Sequence, residues 1–283
     1  MNYRHAFHAG NFADVLKHAV LARILLHLRG KPAAFRVIDT HAGAGRYHLS
    51  GDEASRTGEW REGIGRLVAA RLAPEVAGLL APYLDVVAKF NRGEQLRTYP
   101  GSPEIARAQL RPHDRLVVCE LEPEAARALK RNVAGDERVK AVAIDGWTAL
   151  TAYVPPKERR GVVLVDPAFE QPGEFSRMAD RLAAAHRKWP GGIYLLWYPI
   201  KERGAPAAFA RRLARLAIAK ILRAEFVVAE PREGERLAGC GLVLVNPPWT
   251  LERELGAILP ALAAIFARDG KATTRLDWLA GEK

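Results

Sequence analysis

Cysteine is nearly missing from this chain, with Cys119 and Cys240 the two in 283 residues. Both lie inside apolar, strand-like runs, so a disulfide framework or a cysteine-based zinc site is excluded and both are expected as reduced, buried side chains. No apolar run comes near the ~20 residues that a membrane-spanning helix needs. Residues 1–10 carry Arg4, His5 and His8 but no apolar stretch, so no signal peptide is expected there. A cytoplasmic protein without a membrane partner is the expectation. Internal repeats and low-complexity tracts are absent as well.

Acidic residues are in deficit. Against 43 Lys and Arg stand 32 Asp and Glu, a net charge of +11. Such a surface suits a polyanion, because cationic side chains neutralise phosphates and release their counterions. Solvated, arginine-rich helix faces would give the same total, and charge alone does not separate the two readings. The chain is long enough for one large α/β domain or two small ones.

Seven short, β-branched, apolar runs are present: residues 35–39 (FRVID), 116–120 (LVVCE), 139–145 (VKAVAID), 161–166 (GVVLVD), 193–197 (IYLLW), 222–229 (LRAEFVVA) and 241–246 (GLVLVN). Continuous apolar strands separated by helical stretches predict an α/β fold with a mostly parallel, seven-stranded sheet covered on both faces. Residues 40–115 far exceed one crossover helix. Helical patterns at 57–72 and 82–90 make residues 46–97 a helical insertion within one domain of residues 1–283. Residues 1–30 form an N-terminal motif and a helix from 11 to 28, with Val15, Ala19, Ala22 and Leu26 at helical spacing.

Ligands of open α/β sheets bind beyond the carboxyl ends of the strands, so the residues ending each run matter most. The first run ends Asp39-Thr40-His41-Ala42-Gly43-Ala44-Gly45. Gly43 and Gly45 permit a tight turn and close approach of backbone to ligand. The third glycine of a dinucleotide fingerprint would fall at His48, whereas D-x-x-x-G-x-G is similar to the first motif of class I methyltransferases. Glu120 ends the second run, where a carboxylate can take both hydroxyls of a ribose. Asp145-Gly146 ends the third, where an acid suits an adenine amino group. Either acid could equally be a helix N-cap.

The fourth run ends Asp166-Pro167-Ala168-Phe169. This resembles the (D/N/S)-P-P-(Y/F/W) motif of methyltransferases acting on exocyclic base amines. The N6 lone pair of adenine is delocalised and a poor nucleophile. Asp166 and the Pro167 carbonyl can accept its two protons and hold the nitrogen in line, while Phe169 offers a stacking face. Ala168 stands where the motif has its second proline. Asn246-Pro247-Pro248-Trp249 matches the pattern better, but the last run is expected antiparallel, with its end on the opposite side of the sheet.

The run Tyr3-Arg4-His5-Ala6-Phe7-His8-Ala9-Gly10-Asn11, continuing to Asp14-Val15-Leu16-Lys17-His18, is absent from methyltransferases in general. With Asp39 to Tyr47, Arg56-Thr57-Gly58-Glu59, Tyr99-Pro100-Gly101-Ser102-Pro103, LWYP at 196–199 and Asn246 to Trp249, it is colinear with the RlmJ family and covers nearly the whole chain. The chain thus resembles bacterial methyltransferases that place a methyl on N6 of an adenine in 23S ribosomal RNA. The family usually has Pro and Tyr at 168 and 169. The resemblance implies a class I (Rossmann-like) core with an inserted helical subdomain, S-adenosylmethionine as cofactor, a monomer, and Asp166 as the catalytic acid-motif residue. It implies His18, His41, Ser102, Glu120, Asp145 and Gly146 around the cofactor, and Tyr3, His5 and Lys17 near the target adenine. No metal is expected, since His5, His8 and His18 lack the acid pattern of an open metal site. The rival readings are a DNA adenine-N6 methyltransferase and a catalytically inactive RNA-binding protein of ribosome assembly.

Overall fold

The parallel strands that carry the candidate residues sit side by side at the centre of one sheet. A computed structural model describes residues 4–93, 95–231, 237–268, 270 and 272–281. In chain order its strands are β1 (Arg36–Asp39), β2 (Arg46–His48), β3 (Thr98–Pro100), β4 (Arg115–Glu120), β5 (Val139–Ala143), β6 (Gly161–Val165), β7 (Ile193–Ile200), β8 (Ile221–Val227), β9 (Gly239–Val245) and β10 (Thr273–Ala280). The main sheet has eight strands in the order β10-β8-β9-β7-β6-β1-β4-β5, parallel from β7 to β5. Both β9 and β10 run antiparallel to their neighbours.

The eighth strand corrects the expected seven. β10 is an edge strand whose residues are exposed or half-buried, with Thr273, Arg275 and Asp277 alternating with Leu276 and Trp278, so no continuous apolar run announces it. It is fastened from within: the buried Arg223 guanidinium of β8 donates to both carboxylate oxygens of Asp277, at 2.8 and 2.6 Å.

The helices are α1 (Phe12–Arg29), α2 (Asp52–Thr57), α3 (Arg66–Ala69), α4 (Pro74–Lys89), α5 (Ser102–Arg107), α6 (Pro123–Asn132), α7 (Gly146–Ala152), α8 (Glu174–Lys188), α9 (Gly204–Ala214) and α10 (Leu251–Phe266). One core lies between the sheet and α1, α4 and α10, and a second under α7, α8 and α9. α1 starts where the Asn11 side chain accepts from the amides of Ala13 and Asp14, both at 3.0 Å. It is buried on nearly all sides, with Val15, Ala19 and Ala22 inside and Leu26 turned outward. A helix enclosed in this way can place polar residues at the sheet only if they find partners, and Asp14, Lys17 and His18 do.

Within residues 46–97 the expected helix at 57–72 is broken. Gly58 leaves α2 in the left-handed region, and a kinked turn with non-helical geometry at Gly63 precedes α3. The kink lets the segment cross the N-terminal turn, where the Ile64 amide donates to the Gly10 carbonyl at 2.8 Å. A Cβ at Gly63 would meet that carbonyl oxygen at 2.1 Å and Asn11 backbone at 2.6 Å. The pair β2–β3 brackets the segment.

Asn246 emerges from antiparallel β9 at the edge opposite the carboxyl ends of the parallel strands. Its amide donates to the carbonyls of Pro190 and Gly192, at 2.7 and 2.8 Å, which makes residues 246–249 a structural turn.

Two glycines test this packing with opposite signs. Gly63→Ala is expected to destabilise by about 1–3 kcal/mol, because backbone must move to admit the methyl. Gly78→Ala, at an exposed position of α4 with nothing near its Cβ, is expected to stabilise by up to about 1 kcal/mol. Thermal unfolding measures both, and an unchanged Tm for Gly63→Ala would contradict the crossing.

Candidate active site

The carboxyl ends of β1, β4, β5 and β6 open into a cleft of about 410 Å³. Of the residues expected at a site, His5, Lys17, His18, His41, Gly43, Ser102, Glu120, Asp145, Gly146, Asp166 and Pro167 line it. Tyr3 lies outside the described residues. Two do not line it. Gly45 sits just behind the wall, where its carbonyl accepts from the Gly101 amide at 2.9 Å and ties β2 to α5. Phe169 is the larger correction: it has left-handed backbone (φ 53°), and its ring packs on Phe175 and Trp197, with centroids at 4.8 and 6.0 Å. The turn packs the half-buried ring against the second core.

Lys17 occupies the centre of the site, almost wholly out of water. Its ammonium donates to Asp14 Oδ1 at 2.7 Å and to Asp166 Oδ2, and lies 5.9 Å from the centre of the Trp197 ring. Burial disfavours the charged amine, but the two carboxylates outweigh it and hold the amine charged. Asp14 is kept ionised well below the usual range: burial opposes this, and neighbouring His5 and Lys17 more than offset it. Asp14 Oδ2 also takes the Gly10 amide at 2.9 Å and His5 Nε2 at 3.0 Å, so one carboxylate fastens the N-terminal segment to the site.

His18 and His41 are both neutral. Burial pushes His18 down to about 3 and His41 to about 4. His18 Nδ1 shares a 2.7 Å hydrogen bond with the Tyr99 hydroxyl, itself 3.0 Å from the Tyr83 hydroxyl. The Thr40 hydroxyl donates its one proton to the Leu164 carbonyl at 2.9 Å, so His41 Nδ1, at 2.8 Å, is the donor to Thr40. That assigns the tautomer and leaves His41 Nε2 an acceptor.

The other half of the cleft is built from backbone and acids. Glu120 accepts the Gly43 amide on one oxygen and the Glu122 amide on the other, both at 2.8 Å, and each oxygen keeps a second lone pair. Asp145 is the N-cap of α7, accepting from Thr148, as the alternative reading of that acid allowed. Gly146 lies against His41, where a Cβ would meet the ring at 2.5 Å and the Thr40 carbonyl at 2.4 Å. A Cβ at Gly43 would meet the Tyr47 hydroxyl at 2.1 Å.

Asp39, fully buried beside Thr40, has no hydrogen-bond partner of good geometry for either carboxylate oxygen among the described residues. Burial, aided by the charge of Asp166, pushes it up to about 7, with Ser102 and the His41 backbone close by in opposition. Ribose-suited lone pairs on Glu120, and glycines that keep the wall thin, fit a nucleoside cofactor such as S-adenosylmethionine.

Sequence reasoning passed over Thr40, Tyr47, Trp147, Glu174 and Arg177, all in the cleft lining. Glu174 bears on Ala168, since its carboxylate accepts the Phe169 amide at 2.9 Å and fixes the turn where the motif's second proline is missing. Nothing in the local sequence marks that contact.

A family model described as "Ribosomal RNA large subunit methyltransferase D, RlmJ" matches residues 32–280. Two curated relatives, each named "Ribosomal RNA large subunit methyltransferase J", come from Escherichia coli (strain K12) and Haemophilus influenzae. Both are 38% identical, and each alignment covers 100% of this chain and 100% of the relative. The solved structure of protein LPL1258 from Legionella pneumophila superposes with a TM-score of 0.87 at 33% identity, covering 96% of this chain and 98% of that one. The chain belongs to the RlmJ family of ribosomal RNA large subunit methyltransferases.

Proposed function

We propose that this protein transfers the methyl group of S-adenosylmethionine to N6 of an adenine in 23S ribosomal RNA. The observation that carries the reading is the clamp of buried Lys17 on Asp166 in a cleft whose far wall suits a nucleoside. Family membership supports the acceptor, since the relatives are named for the large-subunit RNA. The resemblance also implies a monomer acting in the cytoplasm, with residues 46–97 an inserted helical subdomain.

When bound, the cofactor supplies an electrophilic methyl on a sulfonium. Glu120 and Asp145 would hold its ribose and adenine, with His18, His41, Ser102 and Gly146 around it. The chain's own work lies at Asp166. Its Oδ2 is engaged by Lys17, which leaves Oδ1 to accept one hydrogen of the N6 amine, while the Pro167 carbonyl accepts the other. Two acceptors in fixed positions orient the nitrogen and stabilise the positive charge that grows on it as the N–C bond forms. His5 lines the same cleft, and the family resemblance implies that Tyr3 and His5 act near the target base.

The inactive-protein reading rests on Ala168. The Glu174 bond to Phe169 weighs against it, because the turn is held without a second proline. No observation favours a DNA acceptor.

Transfer of labelled methyl to an unmodified 23S ribosomal RNA transcript, with duplex DNA as the competing acceptor, tests the reading. Digestion of the RNA is expected to release labelled N6-methyladenosine, with DNA unlabelled. Label in DNA alone, or none in either while cofactor binds, would overturn it. Asp166→Asn is expected to lower kcat by about 10²-fold or more, with cofactor Kd changed less than about threefold, because its bonds strengthen toward the transition state. Equal loss in both quantities would make Asp166 a cofactor ligand instead.

A further inference from the structure

The cleft is acidic. Its lining holds eight carboxylates against three Lys or Arg side chains. An RNA strand carries one negative charge per nucleotide, so this wall repels the backbone that must deliver the adenine. The cations that offset the repulsion are not spread evenly over the chain. Residues 46–97 are nearly balanced, with eight Lys or Arg and seven Asp or Glu, whereas residues 174–215, covering α8, β7 and α9, hold nine against three.

The fold gathers that excess on one face. α8 and α9 pack side by side over the second core. The first turn of α8 carries Arg177, which lines the cleft. Arg181 follows one turn later, and Arg211 and Arg215 lie at the end of α9; all three are exposed. The nearby acids are already engaged, Asp180 by Arg212 and Glu174 by Arg177. No carboxylate among the described residues forms an ion pair with Arg181, Arg211 or Arg215. Like charges held together without counter-charges cost free energy in the isolated protein, and that cost is relieved by a polyanion.

Position in the sheet adds to this. α8 follows β6 and α9 follows β7, the strands on the Asp166 side of the cleft, whereas Glu120 and Asp145 end the strand region of β4 and β5 at the other edge. Arg177 therefore sits at the rim on the Asp166 side, and Arg181, Arg211 and Arg215 extend from it along α8 and α9 down that side of the molecule, away from the cleft.

We propose that the surface formed by α8 and α9, with Arg177, Arg181, Arg211 and Arg215, docks the phosphate backbone of the acceptor RNA. This rests on the reading of the acceptor as RNA. Contacts of this kind are sequence-independent: they set affinity, register and salt dependence, and leave the choice of base to the cleft.

The test compares two triple variants that remove the same charge. Arg181→Gln/Arg211→Gln/Arg215→Gln empties the proposed surface. Arg127→Gln/Lys130→Gln/Arg131→Gln does so on exposed α6, on the cofactor side. Binding of a 23S ribosomal RNA transcript is measured across a salt series, with S-adenosylmethionine Kd and Tm as controls for folding. The α8–α9 variant is expected to bind RNA about tenfold more weakly at 0.1 M salt and to lose about 2–3 from the slope of log K against log salt. Its cofactor Kd should stay put, and arginine-to-lysine replacements at the same positions should restore binding. The α6 variant is expected to keep near-wild-type affinity. RNA binding unchanged in the α8–α9 variant, or equal loss in both variants, would overturn the surface. Wild-type protein that methylates no RNA would overturn the functional reading instead.

Discussion

Lys17 lies between Asp14 and Asp166, out of water, and three parts of the molecule meet at its ammonium. Asp14 anchors the N-terminal segment through His5 and Gly10, Asp166 belongs to the loop after β6, and Lys17 itself rides on the enclosed helix α1. Burying such a group is costly, and removing one partner of a buried pair costs about 3–5 kcal/mol, so the triad holds only when all three elements are in register. The same charges that fix the geometry set the chemistry. One oxygen of Asp166 is committed to Lys17, and in the proposed reaction the other accepts from the amine.

The remainder of the cleft is arranged around what Lys17 does not supply. His18 and His41 are neutral and held by hydroxyls, so they contribute directed hydrogen bonds without charge. Asp39 is buried behind the cleft wall, where burial favours its neutral form and pushes it up to about 7. The carboxylates that suit a cationic nucleoside also make the mouth hostile to RNA. On the proposed reading, the basic excess on α8 and α9 separates the two tasks: acids face the cofactor inside the cleft, and arginines face the phosphates outside it.

Much of this was legible in the chain. The parallel centre of the sheet was plain because its strands are apolar runs, and Glu120, Asp145 and Asp166, which end three of those runs, line the cleft. The antiparallel direction expected for the run before Asn246 is found in β9. Other features left no local trace. β10 alternates polar and apolar residues at an edge, and its hold comes from an Arg223–Asp277 bond across the sheet. The inward turn of the Phe169 ring follows from a left-handed backbone in a non-glycine residue, which residue type argues against. Glu174 and Arg177 reach the cleft only because α8 starts at its rim. Lys17 was marked by family resemblance, while its partnership with Asp14 follows from helical spacing and that with Asp166 only from the fold.

The central claim is that Lys17 serves the reaction through Asp166. A double-mutant cycle on kcat tests it most directly, using Lys17→Met, Asp166→Asn and the two combined, with cofactor Kd confirming an intact site. Lys17→Met is expected to lower kcat by about 10²-fold in the wild-type background and by less than about threefold once Asp166 is changed. The same loss in both backgrounds would mean that Lys17 acts independently of Asp166, and would contradict this account.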